Sequence, residues 1–394
     1  MAYIPPHKRH TEGSSSLKPE SLLPPDAFKK KLSFGESKRK EKDFAVAYAY
    51  GANSKWFFVG FAERSLFSSL VRLQPFLVDS NFESIISSHK PFSLVLLEGC
   101  SERMDDKPWL WVAENVKQDL LLLFQRLKCE MEQVKPDVVA RFGKILFYGN
   151  SSICEESLES NPLDESTLRQ QMRRILYTNI PFTYMEFIEN LVVDKLGLEY
   201  EQEKEIYLVK LVDKLLPDSI VFCKCIVAKD RKKIQLHKIE LNPVRRMVAD
   251  VSCLGKTLDL RLIICTRKIM KVFDEEINGI KHLIDSAIMD PGVKGGLRWP
   301  FGTDTSGGRY TVINVHHTIT KSYRNSLIRF KLRHADRFDF KSSNGEVTRE
   351  IFVKMPGIVS ELRKQTTDEN MLFKMVEENL KLIWDHCMLD DCSS

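Results

Sequence analysis

Along Leu327-Ile328-Arg329-Phe330-Lys331-Leu332-Arg333 apolar and charged residues alternate strictly. That pattern predicts a strand with Ile328, Phe330 and Leu332 on one face and Arg329, Lys331 and Arg333 on the other. The same period of two, rich in β-branched residues, runs through Ile220-Val221-Phe222, Lys233 to Leu241, Val248 to Val251, Leu258 to Thr266, Tyr310 to Thr318 and Val347 to Lys354. Helical spacing instead predicts helices over Glu114 to Gln133, which Pro136 cannot continue, over Asp274 to Met289, and over Asp368 to His386. The middle of the chain reads as mainly helical, over Ser166 to Thr178, Thr183 to Leu196 and Glu203 to Leu216 before Pro217. Nearer the N-terminus, Phe44 to Tyr50 and Trp56 to Phe61 flank Gly51-Ala52-Asn53-Ser54 and read as a hairpin. Further strands are expected at Ser93 to Leu97, Trp109 to Val112 and Val138 to Tyr148.

These elements predict an α+β chain in four parts. Residues 1–42, rich in Pro, Ser, Lys and Glu, form a disordered basic arm, because they hold too few apolar side chains to bury. Residues 43–150 make a small α+β domain, and the acidic, Pro-punctuated residues 151–165 a linker. Residues 166–394 supply the helical segment and then a β-rich, mainly antiparallel region with helices.

Charge sharpens this division. The formal net charge is +5, and the arm, with ten Lys or Arg against five Asp or Glu, accounts for all of it. The rest is neutral but segregated: Asn150 to Asp218 holds fourteen acidic and seven basic residues, Val221 to Lys271 thirteen basic and four acidic. Lys232, Lys233, Arg245 and Arg246 fall in that basic block. A second block, Arg309 to Lys341, carries eight basic residues against Asp336 and Asp339. Blocks of this kind attract phosphate polymers or acidic partners unless they neutralise the acidic stretch beside them.

Several chemistries are excluded or weakened. Nine scattered cysteines, an odd number, predict reduced thiols. Cys223 and Cys225 share a face of a predicted strand, yet no second pair or His cluster completes a zinc set, and no metal site is expected. No run approaches the roughly 18 to 20 apolar residues of a membrane span, and the N-terminus lacks the apolar core of a signal peptide. A cytoplasmic or nuclear protein with no membrane partner is therefore expected. The chain has no HExxH, no GxSxG and no local cysteine-nucleophile signature. Gly255-Lys256-Thr257 resembles the end of a P-loop, but Asp250 stands where that motif needs Gly. Gly292-Val293-Lys294-Gly295 has the form of the GXXG loop of KH domains, but Pro300 opposes the helix that should follow it. His316 and His317, adjacent on a predicted strand, point to opposite faces and make no ligand pair.

The row Arg329, Lys331, Arg333 suits contacts to nucleic-acid phosphates, which position a polymer without reading its sequence; Lys232, Lys233, Arg245 and Arg246 would extend such a surface. Strands of this kind can also close into a tunnel that grips a polyphosphate. A tunnel enzyme also needs carboxylates for its metal, and in the strand Lys233 to Leu241 only Glu240 is acidic, so the alternating carboxylate pair of triphosphate tunnel enzymes is not found.

The opening Met1-Ala2-Tyr3-Ile4-Pro5-Pro6-His7-Lys8-Arg9-His10 resembles the start of a plant protein family that carries no assigned activity. Tyr3 to Arg9 is also similar to a short peptide in the N-terminal tails of some DEAD-box RNA helicases, implicated there in contact with the cap-binding translation initiation factor; the helicase motor motifs are absent. That resemblance implies a translation-related partner held by Tyr3, Ile4, Pro5, Pro6, His7, Lys8 and Arg9. The peptide suits docking, since Pro5-Pro6 stiffens it toward polyproline II and lowers the entropy lost on binding.

The expected function is a non-enzymatic interaction protein associated with RNA or ribonucleoprotein, its arm recruiting a partner and its basic strands contacting phosphates, with no catalytic residue and no cofactor. The alternatives are a metal-dependent tunnel enzyme acting on polyphosphate or triphosphate, and a purely protein-binding scaffold.

Overall fold

A computed structural model of the chain describes residues 46–47, 53–60, 67, 71–76, 91–96, 105–127, 134–149, 165–216, 220–228, 233–269, 274–305, 308–364 and 368–391. The expected arm, and the expected linker as far as residue 164, lie outside the described residues. The elements begin with strands β1 (Val46–Ala47), β2 (Asn53–Val59), β3 (Val71–Pro75) and β4 (Phe92–Leu96), helix α1 (Pro108–Leu127) and strand β5 (Val134–Gly149). There follow α2 (Glu165–Gln171), β6 (Met172–Tyr177), α3 (Phe182–Phe187, carried through a π turn at Ile188–Val192 to Lys195), β7 (Glu199–Asp213), β8 (Ile220–Val227), β9 (Ile234–Cys253) and β10 (Asp259–Ile269). The chain continues with α4 (Asp274–Asp285), β11 (Ile288–Met289), β12 (Leu297–Arg298), β13 (Tyr310–Arg324), β14 (Arg329–Asp339), β15 (Asn344–Lys354), α5 (Pro356–Leu362) and α6 (Glu369–Cys387).

Eight strands pair in the order β5-β10-β9-β8-β7-β13-β14-β15, every neighbour antiparallel, and β15 returns to β5 through Phe352↔Arg141, Val353↔Ala140 and Lys354↔Val139. The eight strands thus close into a barrel. One of its faces is apolar over two broad stretches. On one side Val138, Ala140, Phe142, Leu260, Leu262, Phe330, Leu332, Ile351 and Val353 pack with α1, α3, α5 and α6; on the other Val209, Leu211, Val221 and Cys223 pack with α4. An eight-stranded barrel has room inside for side chains or one small ligand, not for helices, so this apolar face is the outside. The alternate positions of every strand point inward.

A smaller sheet grows from the same strand β5. At Gly143 that strand bends away from β10 so closely past β6 that a Cβ there would lie 2.2 Å from the Tyr177 carbonyl oxygen. Beyond the bend Lys144 to Gly149 pair with β6, Phe147 and Leu146 meet β4, and β3 and β1 extend the two edges. β2 runs parallel to the end of β9 and puts Trp56 into a second apolar cluster with Phe58, Phe67, Phe147 and Leu176.

The large antiparallel sheet stands as expected, whereas the helical middle segment does not. Only Thr183 to Leu196 is mainly helical. Ser166 to Thr178 divides into α2 and β6, and Glu203 to Asp213 belongs to β7, where Tyr207, Val209 and Leu211 are buried at period two. Trp109 to Val112, expected as a strand, opens α1: Pro108 is suited to a first helical position, and Trp109, Val112, Ala113, Val116 and Leu120 form one buried stripe. The described residues of the expected N-terminal hairpin do not pair with each other: β1 pairs with β6 and β2 with β9. No helix among the described residues is long and apolar enough to cross a membrane.

Candidate functional site

The inward face is polar and mostly cationic. Along β14 it presents Arg329, Lys331, Arg333 and Arg337, which stand opposite Lys354, Phe352, Glu350 and Glu346 of β15. Arg141 of β5 faces Phe352 on one side and Arg261 of β10 on the other, and Arg261 faces Asp250 of β9.

Glu350 lies at the centre of this arrangement with its side chain 1% exposed. Its Oε1 accepts from Arg337 at 2.5 Å and Arg141 at 2.9 Å, its Oε2 lies 3.5 Å from Arg333, and the Thr178 hydroxyl donates at 3.4 Å. Burial alone would raise the carboxyl, but the guanidinium groups of Arg337, Arg141 and Arg333 outweigh it and hold the group at about 2. Arg141 and Arg333 also lie over the Phe352 ring, 4.8 and 4.5 Å from its centre, which fixes both planes.

The other inward carboxylates are likewise held. Arg261 grips Asp250 at 2.5 and 2.9 Å, Glu240 lies 2.9 Å from Lys224 and 2.8 Å from Lys238, and Lys354 pairs with Asp137. At the turn between β13 and β14, Glu201 bridges Arg329 at 2.8 Å and Arg324 at 3.6 Å. A pocket of about 540 Å³ opens there, lined by Gly197, Glu199, Arg324, Asn325, Arg329 and Pro356. Lys331 differs: no carboxylate lies within ion-pair distance of it among the described residues. Burial, reinforced by Lys354, Arg333 and Arg329, lowers its ammonium to about 8. His316, inward on β13, is held neutral well below the usual range, chiefly by burial and then by Lys210, Arg337 and Arg333.

Of the expected site residues, Arg329, Lys331 and Arg333 come together inside the barrel. Lys233 is exposed just ahead of β9; Arg245 and Arg246 lie within β9, but their side chains, like Lys232 and Tyr3 to Arg9, fall outside the described residues. Cys223 and Cys225 face outward into the apolar cluster, where burial pushes the Cys223 thiol up to about 12. Gly292 to Gly295 form a turn between β11 and β12 rather than a loop between two helices, and Gly255-Lys256-Thr257 is the β9–β10 turn, tied to Asp390 by Lys256 at 2.7 Å. His317, opposite in direction to His316, stacks outside on Tyr207 and meets Glu205 at 2.8 Å.

Sequence reasoning misses Glu350, Arg141, Arg337, Lys354 and the Arg261–Asp250 pair. The signal for two of them is present, because Glu350-x-Phe352-x-Lys354 alternates within a predicted strand. It also misses alternating carboxylates, Glu199, Glu201, Glu203 and Glu205, because their segment scans partly as helix. The barrel separates them: Glu201 turns to the mouth and Glu205 to His317 outside. Among the described residues no group of three or more His, Cys, Asp or Glu is placed to hold a metal ion.

Among solved structures the chain is similar to the RNA triphosphatase Pct1 of S. pombe, at 9% identity over 69% of this chain and 90% of that one with a TM-score of 0.42. The same enzyme in complex with the Spt5 CTD aligns at 10% identity over 70% and 94%, with a TM-score of 0.40. The Mimivirus capping enzyme triphosphatase aligns at 9% identity over 69% and 97%, with a TM-score of 0.32. No curated protein matches the chain. A family model described as "Domain of unknown function (DUF7903)" matches residues 40–387.

The expectation of a non-enzymatic, RNA- or ribonucleoprotein-associated protein whose basic strands, with Arg329, Lys331 and Arg333, contact phosphates is overturned. The row is enclosed, because β15 closes on β5.

Proposed function

The chain belongs to the DUF7903 family, and we propose that its barrel takes in the phosphate chain of a triphosphate-bearing molecule, such as a nucleoside triphosphate or a triphosphorylated RNA end, and acts on it there. One observation carries this reading: Arg141, Arg329, Lys331, Arg333, Arg337 and Lys354 converge around Glu350 from three neighbouring strands of a closed wall. A closed wall with an excess of positive charge favours a slender polyanion over a duplex. Charge attraction is stronger there than in water, and the planar guanidinium groups can each give a phosphate two hydrogen bonds.

Reactions at triphosphates commonly employ a divalent cation. The described residues do not fit a resident one, because Glu350, Glu240 and Asp250 are gripped by Arg or Lys and no set of three metal ligands is formed among them. What these residues can do is bind the phosphate chain, orient it, and neutralise charge on its oxygens.

The test offers the full chain a nucleoside triphosphate, a triphosphorylated RNA and inorganic tripolyphosphate, and measures binding and phosphate release. Binding of all three, weakened at least about tenfold by Arg333→Ala or Arg337→Ala, together with phosphate release that the variants lose, supports the reading. Failure to bind any of them overturns it. Binding with no release overturns the claim that the protein acts on its ligand.

A further inference from the structure

In the inward ring each cation around Glu350 except Lys331 has a carboxylate partner. Arg141, Arg333 and Arg337 share Glu350, Arg329 has Glu201, and Lys354 has Asp137. Lys331 sits between Arg329 and Arg333 on the same face of β14, with Phe352 of β15 opposite it on one side and Ser322 of β13 on the other. Three cations thus converge on a fourth that has no carboxylate partner of its own among the described residues.

We propose that Lys331, with Arg329, Arg333 and Lys354 around it, is an anion subsite that grips the phosphate chain directly, without a bridging divalent cation. The inference rests on the barrel reading above and adds how the ligand is held. A metal bridge would need at least one carboxylate released from its arginine or lysine, and the freed cation would then be left uncompensated inside the barrel. An incoming phosphate asks for no such exchange at Lys331, whose ammonium offers three donors. Arg329 and Arg333 can turn their remaining N–H groups to the same anion, and their spacing of four positions, about 13 Å of strand, leaves length for more than one phosphate.

The surroundings of Lys331 also couple binding to protons. Arg329 and Arg333 face it from its own strand and Lys354 from β15, all opposing its charge, and only Asp137 of β5 supports it. A phosphate placed among them reverses that balance, so binding near pH 8 draws a proton onto Lys331.

The experiment is a calorimetric titration of the full chain with inorganic tripolyphosphate, in EDTA and in Mg2+, at pH 8 and in two buffers of different ionisation heat. The expected result is an affinity that agrees within about threefold between EDTA and Mg2+, with proton uptake on binding. Lys331→Met should weaken binding about tenfold or more and abolish the uptake, while Lys331→Arg should keep the affinity but lose the uptake. Melting temperatures of both variants show that they are folded. Binding that appears only with Mg2+ overturns the inference and leaves the barrel reading standing. Absence of binding in both solutions overturns the barrel reading itself. Unchanged binding and proton uptake in Lys331→Met overturns the subsite assignment.

Discussion

Arg261 and Asp250 face each other across β10 and β9 with guanidinium–carboxylate contacts of 2.5 and 2.9 Å, both side chains 1% exposed. The pair sits against Trp56, which stands beside Asp250 in β2 and donates its ring N–H to Ser252 at 3.0 Å. Arg174 lies over the same ring, its guanidinium held below the usual range chiefly by burial. Removing Asp250 therefore leaves buried cations without their anion. Asp250→Ala should cost about 3 to 5 kcal/mol of stability, whereas Asp250→Leu combined with Arg261→Met should lose far less. Urea denaturation of the three proteins checks this; equal losses for the single and double variants would count against it.

Glu350 predicts an acid limb of stability. Its carboxyl falls from the ordinary 4.5 to about 2 on folding. A carboxylate lowered in this way contributes stability that is fully present above about pH 4.5 and is lost as pH falls toward 2. The contribution is on the order of 3 kcal/mol. Glu350→Gln should flatten the stability curve between pH 5 and about 2.5 relative to the unmodified chain, as read from denaturation midpoints across that range.

Lys331 predicts the opposite limb for ligand binding. With its ammonium lowered to about 8, the site loses a positive charge as pH rises through 8, while the arginines beside it stay charged. Affinity for tripolyphosphate should fall between about pH 7 and 9.5 in the unmodified chain and stay level in Lys331→Arg. The same group adds to folding stability in the other sense. An ammonium that folding lowers makes the fold relatively more stable as pH rises from 8 toward 10.5.

Two glycines separate steric crowding from backbone strain. A Cβ at Gly143 would meet the Tyr177 carbonyl oxygen at 2.2 Å, whereas at Gly197, with φ of +57°, nothing lies within 4 Å. Gly143→Ala should cost about 3 kcal/mol or more, because backbone must move, and Gly197→Ala only about 1 kcal/mol of left-handed strain. Thermal unfolding of both variants compares them directly; a smaller effect at Gly143 would refute the crowding argument.

Strand β14 is legible in the sequence because its outer residues Phe330 and Leu332 are apolar and its inner ones charged. What the pattern does not disclose is which side is the inside. In a barrel the inward positions are polar and half-buried, so Arg329, Lys331 and Arg333 look like a solvated face. Closure is equally hidden, since it brings together residues as far apart as Arg141 and Glu350, 209 positions distant. β7 misleads for a different reason: Leu208, Leu211, Val212, Leu215 and Leu216 fit helical spacing, although Leu208 and Val212 face the interior and only Tyr207, Val209 and Leu211 face the outer core. Glu203 and Glu205 therefore fall within an expected helix, and Glu199 and Glu201 before it, instead of along one strand.

Strand β5 serves two masters on one backbone. Arg141, within the barrel, holds Glu350, and three residues later Lys144 pairs with Tyr177 in the smaller sheet. No hinge or linker separates them, only the bend at Gly143. A tug on β6 or β4, from a partner or from a neighbouring segment of the chain, is thus transmitted through covalent bonds to the guanidinium that braces the central carboxylate.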